Sequence, residues 1–97
     1  MKFKTAPEND NMFLQFTADE RRSQDSQWGI QRLTLESWLT LLVEEVGEVA
    51  RQILTDGPTS HFSCGKVNIN QELIQCAALC IAIAGSEPVM EDNDENN

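Results

Sequence analysis

The 97-residue sequence predicts an all-α fold, on three observations. Apolar residues recur at helical spacing through the two longest hydrophobic segments. Turn formers punctuate the chain at Gly29, at Asp56-Gly57-Pro58 and at Gly85, and no stretch alternates with the period of two that a half-buried strand requires. With 40% hydrophobic residues, a chain this short makes one domain with a small core, a size at which self-association supplies buried area that a single chain lacks.

Each element has its own local signal. Residues 1–11 are polar, carry Pro7 and lack periodicity, which predicts a mobile N-terminus ahead of a helical domain over 12–85. Thr17 followed by Glu20 has capping-box spacing and predicts a polar first helix from Ala18 to Gln27, ending at Trp28-Gly29 where glycine takes the left-handed cap. Met12, Phe13, Leu14 and Phe16 either staple that start or extend the helix. Thr34 suits the N-cap of a second helix from Leu35 to about Leu54, stopped by Asp56-Gly57-Pro58. Residues 56–69, DGPTSHFSCGKVNI, predict a connecting loop of unusual length. Asn68 or Asn70 caps a third helix, Gln71 to Ala84, that ends at Gly85 with Pro88 beyond. Residues 86–97 form an acidic tail, read as disordered and solubilising.

Charge narrows the function. The net charge is −9, with five of the sixteen acids at Glu87, Glu91, Asp92, Asp94 and Glu95, and the seven Lys and Arg are scattered. Nucleic-acid binding needs clustered cations, so no nucleic-acid partner is expected. The opening residues MKFKTAPEND turn polar too early for a signal peptide, and no apolar run reaches the roughly 18 residues of a membrane helix. A soluble, cytoplasmic protein with no membrane partner is therefore expected. Cys64, Cys76 and Cys80 are read as small buried hydrophobes in a reducing compartment, and His61 with Cys64 has too few partners for a zinc site.

At about 100° per residue, Leu39, Leu42, Val43, Val46, Val49, Ala50 and Ile53 form a broad apolar stripe on the second helix. Trp38, Leu41, Glu45 and Glu48 occupy another side. The third helix is apolar almost all round, with Leu73, Ala77, Cys80, Ile81 and Ala84 on one side and Leu79 and Ile83 on another, which predicts contact with a second subunit. Its polar exceptions, Glu72 and Gln75, are neighbours on one face and repeat the spacing of Glu45 and Glu48. In an antiparallel hairpin the two pairs face each other. Converging carboxylates repel unless they are protonated or share a cation, and hard oxygen ligands select Mg²⁺ first and Mn²⁺ second. Gly47 costs about 1 kcal/mol in a helix interior relative to Ala, which predicts a close backbone approach by a neighbouring helix.

Taken together, ERRSQDSQWG (residues 20–29), WLTLLVEEVGEVA (38–50) and QELIQCAAL (71–79) resemble the MazG-like all-α nucleoside triphosphate pyrophosphohydrolases, over residues 12–84. The resemblance implies a helical hairpin assembling into four-helix bundles in a dimeric or tetrameric homo-oligomer. It also implies Mg²⁺-dependent cleavage of an NTP or dNTP to the monophosphate and pyrophosphate, as nucleotide-pool house-cleaning. Position by position, it makes Glu45, Glu48, Glu72 and Gln75 metal ligands and places Glu45 and Glu44 in catalysis, with Glu44 as a further ligand, a group behind the ligands or the base that orients the attacking water. Arg21, Gln24, Trp28 and Lys66 are the implied substrate contacts, with the indole stacking on a base. Arg51 reads instead as a surface partner of Glu48. Gln75 departs from the family pattern, which has Asp there; an amide oxygen still ligates Mg²⁺, but one negative charge is missing. That departure keeps open a second reading, a catalytically silent helical interaction or nucleotide-binding module of the same fold. A ferritin-like di-iron site is set aside because it needs Glu-x-x-His pairs and the one histidine sits in the loop.

Overall fold

A single 3₁₀ turn at Pro7–Asn9 leads into α1 (Asp10–Trp28), followed by α2 (Leu35–Asp56) and α3 (Ile69–Ala84). This is a computed structural model, and it describes residues 2–56 and 69–90. No strand occurs among the described residues, so the all-α class holds. The loop beyond Asp56, with His61, Cys64, Lys66 and Asn68, lies outside them, as does the end of the acidic tail.

The first helix begins eight residues before the expected start, inside the segment read as a mobile N-terminus. Thr17 is not a cap: it is buried in the helix interior, and its hydroxyl donates to the Phe13 carbonyl at 2.8 Å. Asp10 to Phe16 contains no helix breaker, and Pro7, Glu8 and Asp10 suit the positive end of a helix. The helix therefore extends back through Met12, Phe13, Leu14 and Phe16. The Phe13 and Phe16 rings meet edge to face at 5.7 Å between centroids. Gly29, at φ 73°, closes the helix with its N–H donating to the Asp25 carbonyl at 2.8 Å.

The second helix starts as expected. The Thr34 hydroxyl accepts the Ser37 N–H at 3.0 Å, and the Trp38 N–H donates to the Thr34 carbonyl at 3.0 Å. The third helix starts at Ile69, so Asn70 lies inside it rather than capping it. Gly85 and Ser86 close it by donating to Ile81 and Ile83 carbonyls at 2.9 and 3.1 Å.

Among the described residues α3 packs against both α1 and α2, whose backbones do not approach each other closely. Val49 clusters with Ile69 and Cys76, whereas Trp38 and Leu41 lie beside Leu79 and Ala82, so α2 runs antiparallel to α3. Phe13 and Phe16 lie beside Asn70 and Ile74, and Trp28 beside Ala82, so α1 runs parallel to it.

The core is small: Trp38, Val49, Ile69, Cys76 and Ala78 are the buried apolar residues. Ala78 is fully buried and lies about 200° around α3 from Cys76, on the α1 side, where a small side chain lets that helix approach. The predicted core stripe of α2 is largely corrected. Val49 is buried and Leu42 half-buried, but Leu39, Val43, Val46, Ala50 and Ile53 are exposed. The cause is that α3 docks on the edge of the stripe, against Trp38, Glu45 and Val49, and one helix cannot cover so broad an apolar arc. On α3, Leu73, Ala77, Cys80, Ile81 and Ala84 are likewise exposed. Cys76 is thus buried as expected, whereas Cys80 is not. A Cβ at Gly47 would meet nothing within 4 Å, so no helix approaches it among the described residues. No described helix is long and apolar enough to cross a membrane.

Candidate functional site

Three stripes at helical spacing line a cleft of about 790 Å³. Arg21, Gln24 and Trp28 come from α1, Trp38, Leu41 and Glu45 from α2, and Gln75, Leu79 and Ala82 from α3. Each set steps by three or four residues, so it presents one face of its helix. Because α3 separates the other two helices, its stripe is the floor and theirs are the walls. Trp38 is 8% exposed and Trp28 is 59% exposed, so the first indole is part of the core and the second is free to meet a ligand.

The α1 wall is a polar network. The Arg21 guanidinium donates to both Asp25 carboxylate oxygens at 2.8 and 3.0 Å and to Gln24 Oε1 at 3.1 Å, and the Gln24 amide donates to Glu20 at 3.3 Å. Arg21 is the one cation among the described residues lining the cleft, and the carboxylates of Glu20, Asp25 and Glu45 line it too. An anionic ligand is therefore opposed there unless a cation accompanies it.

At one edge of the cleft Glu45 meets Glu72. Burial, then the charges of Glu45 and Glu48, push the Glu72 carboxyl above the ordinary glutamate range, Arg51 opposes the shift, and a hydrogen bond with Glu45 adds to it. Glu48, within electrostatic reach of Glu72, is exposed and paired with Arg51, as its spacing predicts. Cys76 lies beside this cluster, and burial first, then Glu45, Cys80 and Glu72, push its thiol up. The buried thiol packs with Val49 and Ile69.

The structure thus brings Arg21, Gln24, Trp28, Glu45 and Gln75 to one cleft, with Glu72 bonded to Glu45. Glu44 does not join them: it is exposed, about 100° around α2 from Glu45, and absent from the groups acting on Glu72. Lys66 is outside the described residues. Sequence reasoning missed Glu20 and Asp25 as cleft residues. The available signal was spacing, since each lies one helical turn from Gln24 or Arg21.

The oxygen donors of Glu45, Glu72 and Gln75 are of the kind a hard divalent cation takes, and the Glu45 and Glu48 charges that push the Glu72 carboxyl up are ones a cation would offset. Among the described residues no group of three or more His, Cys, Asp or Glu side chains is arranged to hold a metal ion, and Glu48 is paired with Arg51. No protein-family model matches the chain, and no curated protein and no solved structure matches it. Fold and site together define the class: an all-α protein whose cleft combines an exposed indole, one guanidinium and an acidic edge.

Proposed function

We propose that this protein is a Mg²⁺-dependent nucleoside triphosphate pyrophosphohydrolase that cleaves the α,β-phosphoanhydride of an NTP or dNTP and serves to clear unwanted nucleotides. The observation that carries the reading is the convergence, in one cleft, of Arg21, Gln24 and Trp28 with Glu45 and Gln75, residues that stand far apart in the sequence. In this reading Glu45, Glu48, Glu72 and Gln75 hold the cation, with Mn²⁺ as a substitute. When bound, Mg²⁺ neutralises phosphate charge and polarises the phosphoryl group. Glu45 would also orient the attacking water, with the Glu72 carboxyl beside it. Asp25 holds the Arg21 guanidinium toward the phosphates, Gln24 hydrogen-bonds beside it and Trp28 stacks on the base. Lys66 is a further phosphate contact, and Glu44 keeps only a supporting role. The hairpin of α2 and α3 self-associates into a four-helix bundle within a dimer or tetramer, a reading supported by the aliphatic surface that both helices leave exposed.

A second reading, a silent nucleotide-binding or interaction module, draws support from the Glu48–Arg51 pair and from the amide at Gln75. Calorimetric binding and pyrophosphate release, measured on a panel of nucleotides with and without Mg²⁺, separate the two. The enzyme reading expects Mg²⁺-dependent release that falls about 100-fold in Glu45→Gln, the size expected for removing one electrostatic stabiliser. Binding without release, unrestored by Gln75→Asp, favours the silent nucleotide-binding module, and absence of both binding and release overturns the enzyme and the nucleotide-binding readings and leaves the interaction module.

A further inference from the structure

We propose that the cavity between α1 and the first half of α3 is a binding site for a small organic ammonium ion, with the Glu20 carboxylate as its anchor. The cavity has a volume of about 600 Å³, within the range of small-molecule sites. Phe13, Phe16, Asp19 and Glu20 line it from α1, and Ile74 and Gln75 from α3. It is a neighbour of the cleft, and Glu20 and Gln75 line both. On α1 the steps from Phe13 to Phe16 and from Phe16 to Glu20 are three and four residues, so rings and carboxylate share one face. At the helical rise, Glu20 lies about 6 Å along the axis beyond Phe16, within reach of a short alkyl chain that rests on the rings.

The lining selects the occupant. Glu20 is half-buried, and its hydrogen bond is to a neutral group, the Gln24 amide, at 3.3 Å. Among the described residues no Lys or Arg forms an ion pair with it, and none lines the cavity, whereas Asp19 is paired with Arg22. A half-buried carboxylate without a counterion is costly, and a positively charged ligand offsets that cost. An anion is opposed by the same group. A bare divalent ion finds too few charged ligands, because no group of three or more His, Cys, Asp or Glu is arranged to hold one among the described residues. An alkylammonium needs less: one carboxylate to accept its N–H groups, and apolar surface for its methylenes. Phe16 is 44% exposed and Phe13 half-buried, and the face of an aromatic ring attracts a cation. Ile74 adds apolar surface from α3. Rings and carboxylate in one concavity set this cavity apart from the solvated acids elsewhere on the chain.

A ¹⁵N NMR titration of the full chain with n-butylammonium chloride, without nucleotide or Mg²⁺, tests the assignment. Sodium chloride and n-butanol serve as probes of charge alone and of apolar contact alone. Saturable shifts at Phe16, Glu20 and Ile74 are expected for the amine and for neither control. Glu20→Gln is expected to weaken binding by about 10-fold or more, the size of a charge-assisted hydrogen bond. Phe16→Leu keeps apolar bulk but loses the ring, and is expected to weaken it by about threefold. Ser23→Lys, at an exposed position lining the cavity, places a cation one turn from Glu20 and is expected to abolish binding while circular dichroism stays helical. That variant carries the test if Glu20→Gln fails to fold. Glu87→Gln removes the same charge from an exposed site beyond α3 and leaves binding unchanged. Absence of saturation, shifts concentrated in the acidic tail, or wild-type affinity in folded Glu20→Gln or Ser23→Lys overturns the proposal. The titration needs no nucleotide chemistry, so its failure is distinct from failure of the enzymatic reading.

Discussion

The two sides of the α2–α3 pair differ in what they bury and in what they leave unsatisfied. On the cleft side, charged and aromatic groups sit between helices: burial and the charges of Glu45 and Glu48 push the Glu72 carboxyl up, Trp38 is buried, and Arg21 is held by Asp25. On the back, aliphatic side chains that would form a core in a larger protein stand exposed. The first side keeps electrostatic strain and the second keeps uncovered apolar area, and each calls for a partner of a different kind. In the proposed reading a cation with its anionic ligand answers the one, and a second apolar surface answers the other.

Adjacent residues of α2 give the sharpest contrast. Trp38→Ala removes the largest buried side chain at the α2–α3 contact and is expected to cost about 3–5 kcal/mol by urea denaturation, a large part of the stability of so small a domain. Leu39→Ala, one residue on and exposed, is expected to cost less than about 0.5 kcal/mol when measured at a dilution that keeps the chain monomeric. Comparable losses at the two positions would show that the back is already covered within one chain.

Thr34→Ala serves as a control common to both sides, because the cap starts the helix that carries them. Loss of the hydroxyl that accepts the Ser37 N–H is expected to cost about 1 kcal/mol. Gly47→Ala should act in the opposite direction: its site is open and helical, so alanine is expected to add up to about 1 kcal/mol in a thermal melt. A loss of stability there would instead place a partner's backbone against Gly47 and widen the proposed contact beyond the aliphatic stripe.

The smallest effect, and one that belongs to the cleft side alone, is a dependence on pH. The folded chain holds the Glu72 proton above the ordinary glutamate range, so it binds more protons than the unfolded chain. Stability therefore falls as pH climbs from that range through the raised value. Glu72→Gln mimics the neutral acid; it should match the wild type on the acid side, exceed it at neutral pH and flatten the slope. Mg²⁺ should recover the same deficit in the wild type and not in the variant. A wild-type curve that rises through this window, with the variant unchanged, would remove the acidic pair from the account.

What was legible in the sequence followed from local geometry. Thr34, Gly29 and Gly85 mark helix ends because caps depend on a few neighbouring backbone groups. Glu45 and Glu72 were found on facing sides because helical periodicity carries that information and the antiparallel pairing needs little more. The start of α1 was not legible, since Thr17 and Glu20 fit a capping box and a helix interior equally well, and only the run back to Asp10 decides between them. Nor was the choice of buried face on α2. Periodicity shows which residues are apolar, whereas α3 takes only the edge that carries Trp38 and Val49, and that choice depends on the partner helix. The convergence of Arg21, Gln24 and Trp28 on Glu45 depends in the same way on α1 lying across α3, a tertiary fact with no local signature.

The central claim, that the cleft side performs nucleotide chemistry, is met most directly by ³¹P NMR of a deoxynucleoside triphosphate incubated with the protein and Mg²⁺. The account predicts that monophosphate and pyrophosphate appear in equal amounts and that a chelator abolishes both. Intact triphosphate across the common nucleotides, or a diphosphate with inorganic phosphate in their place, would contradict it.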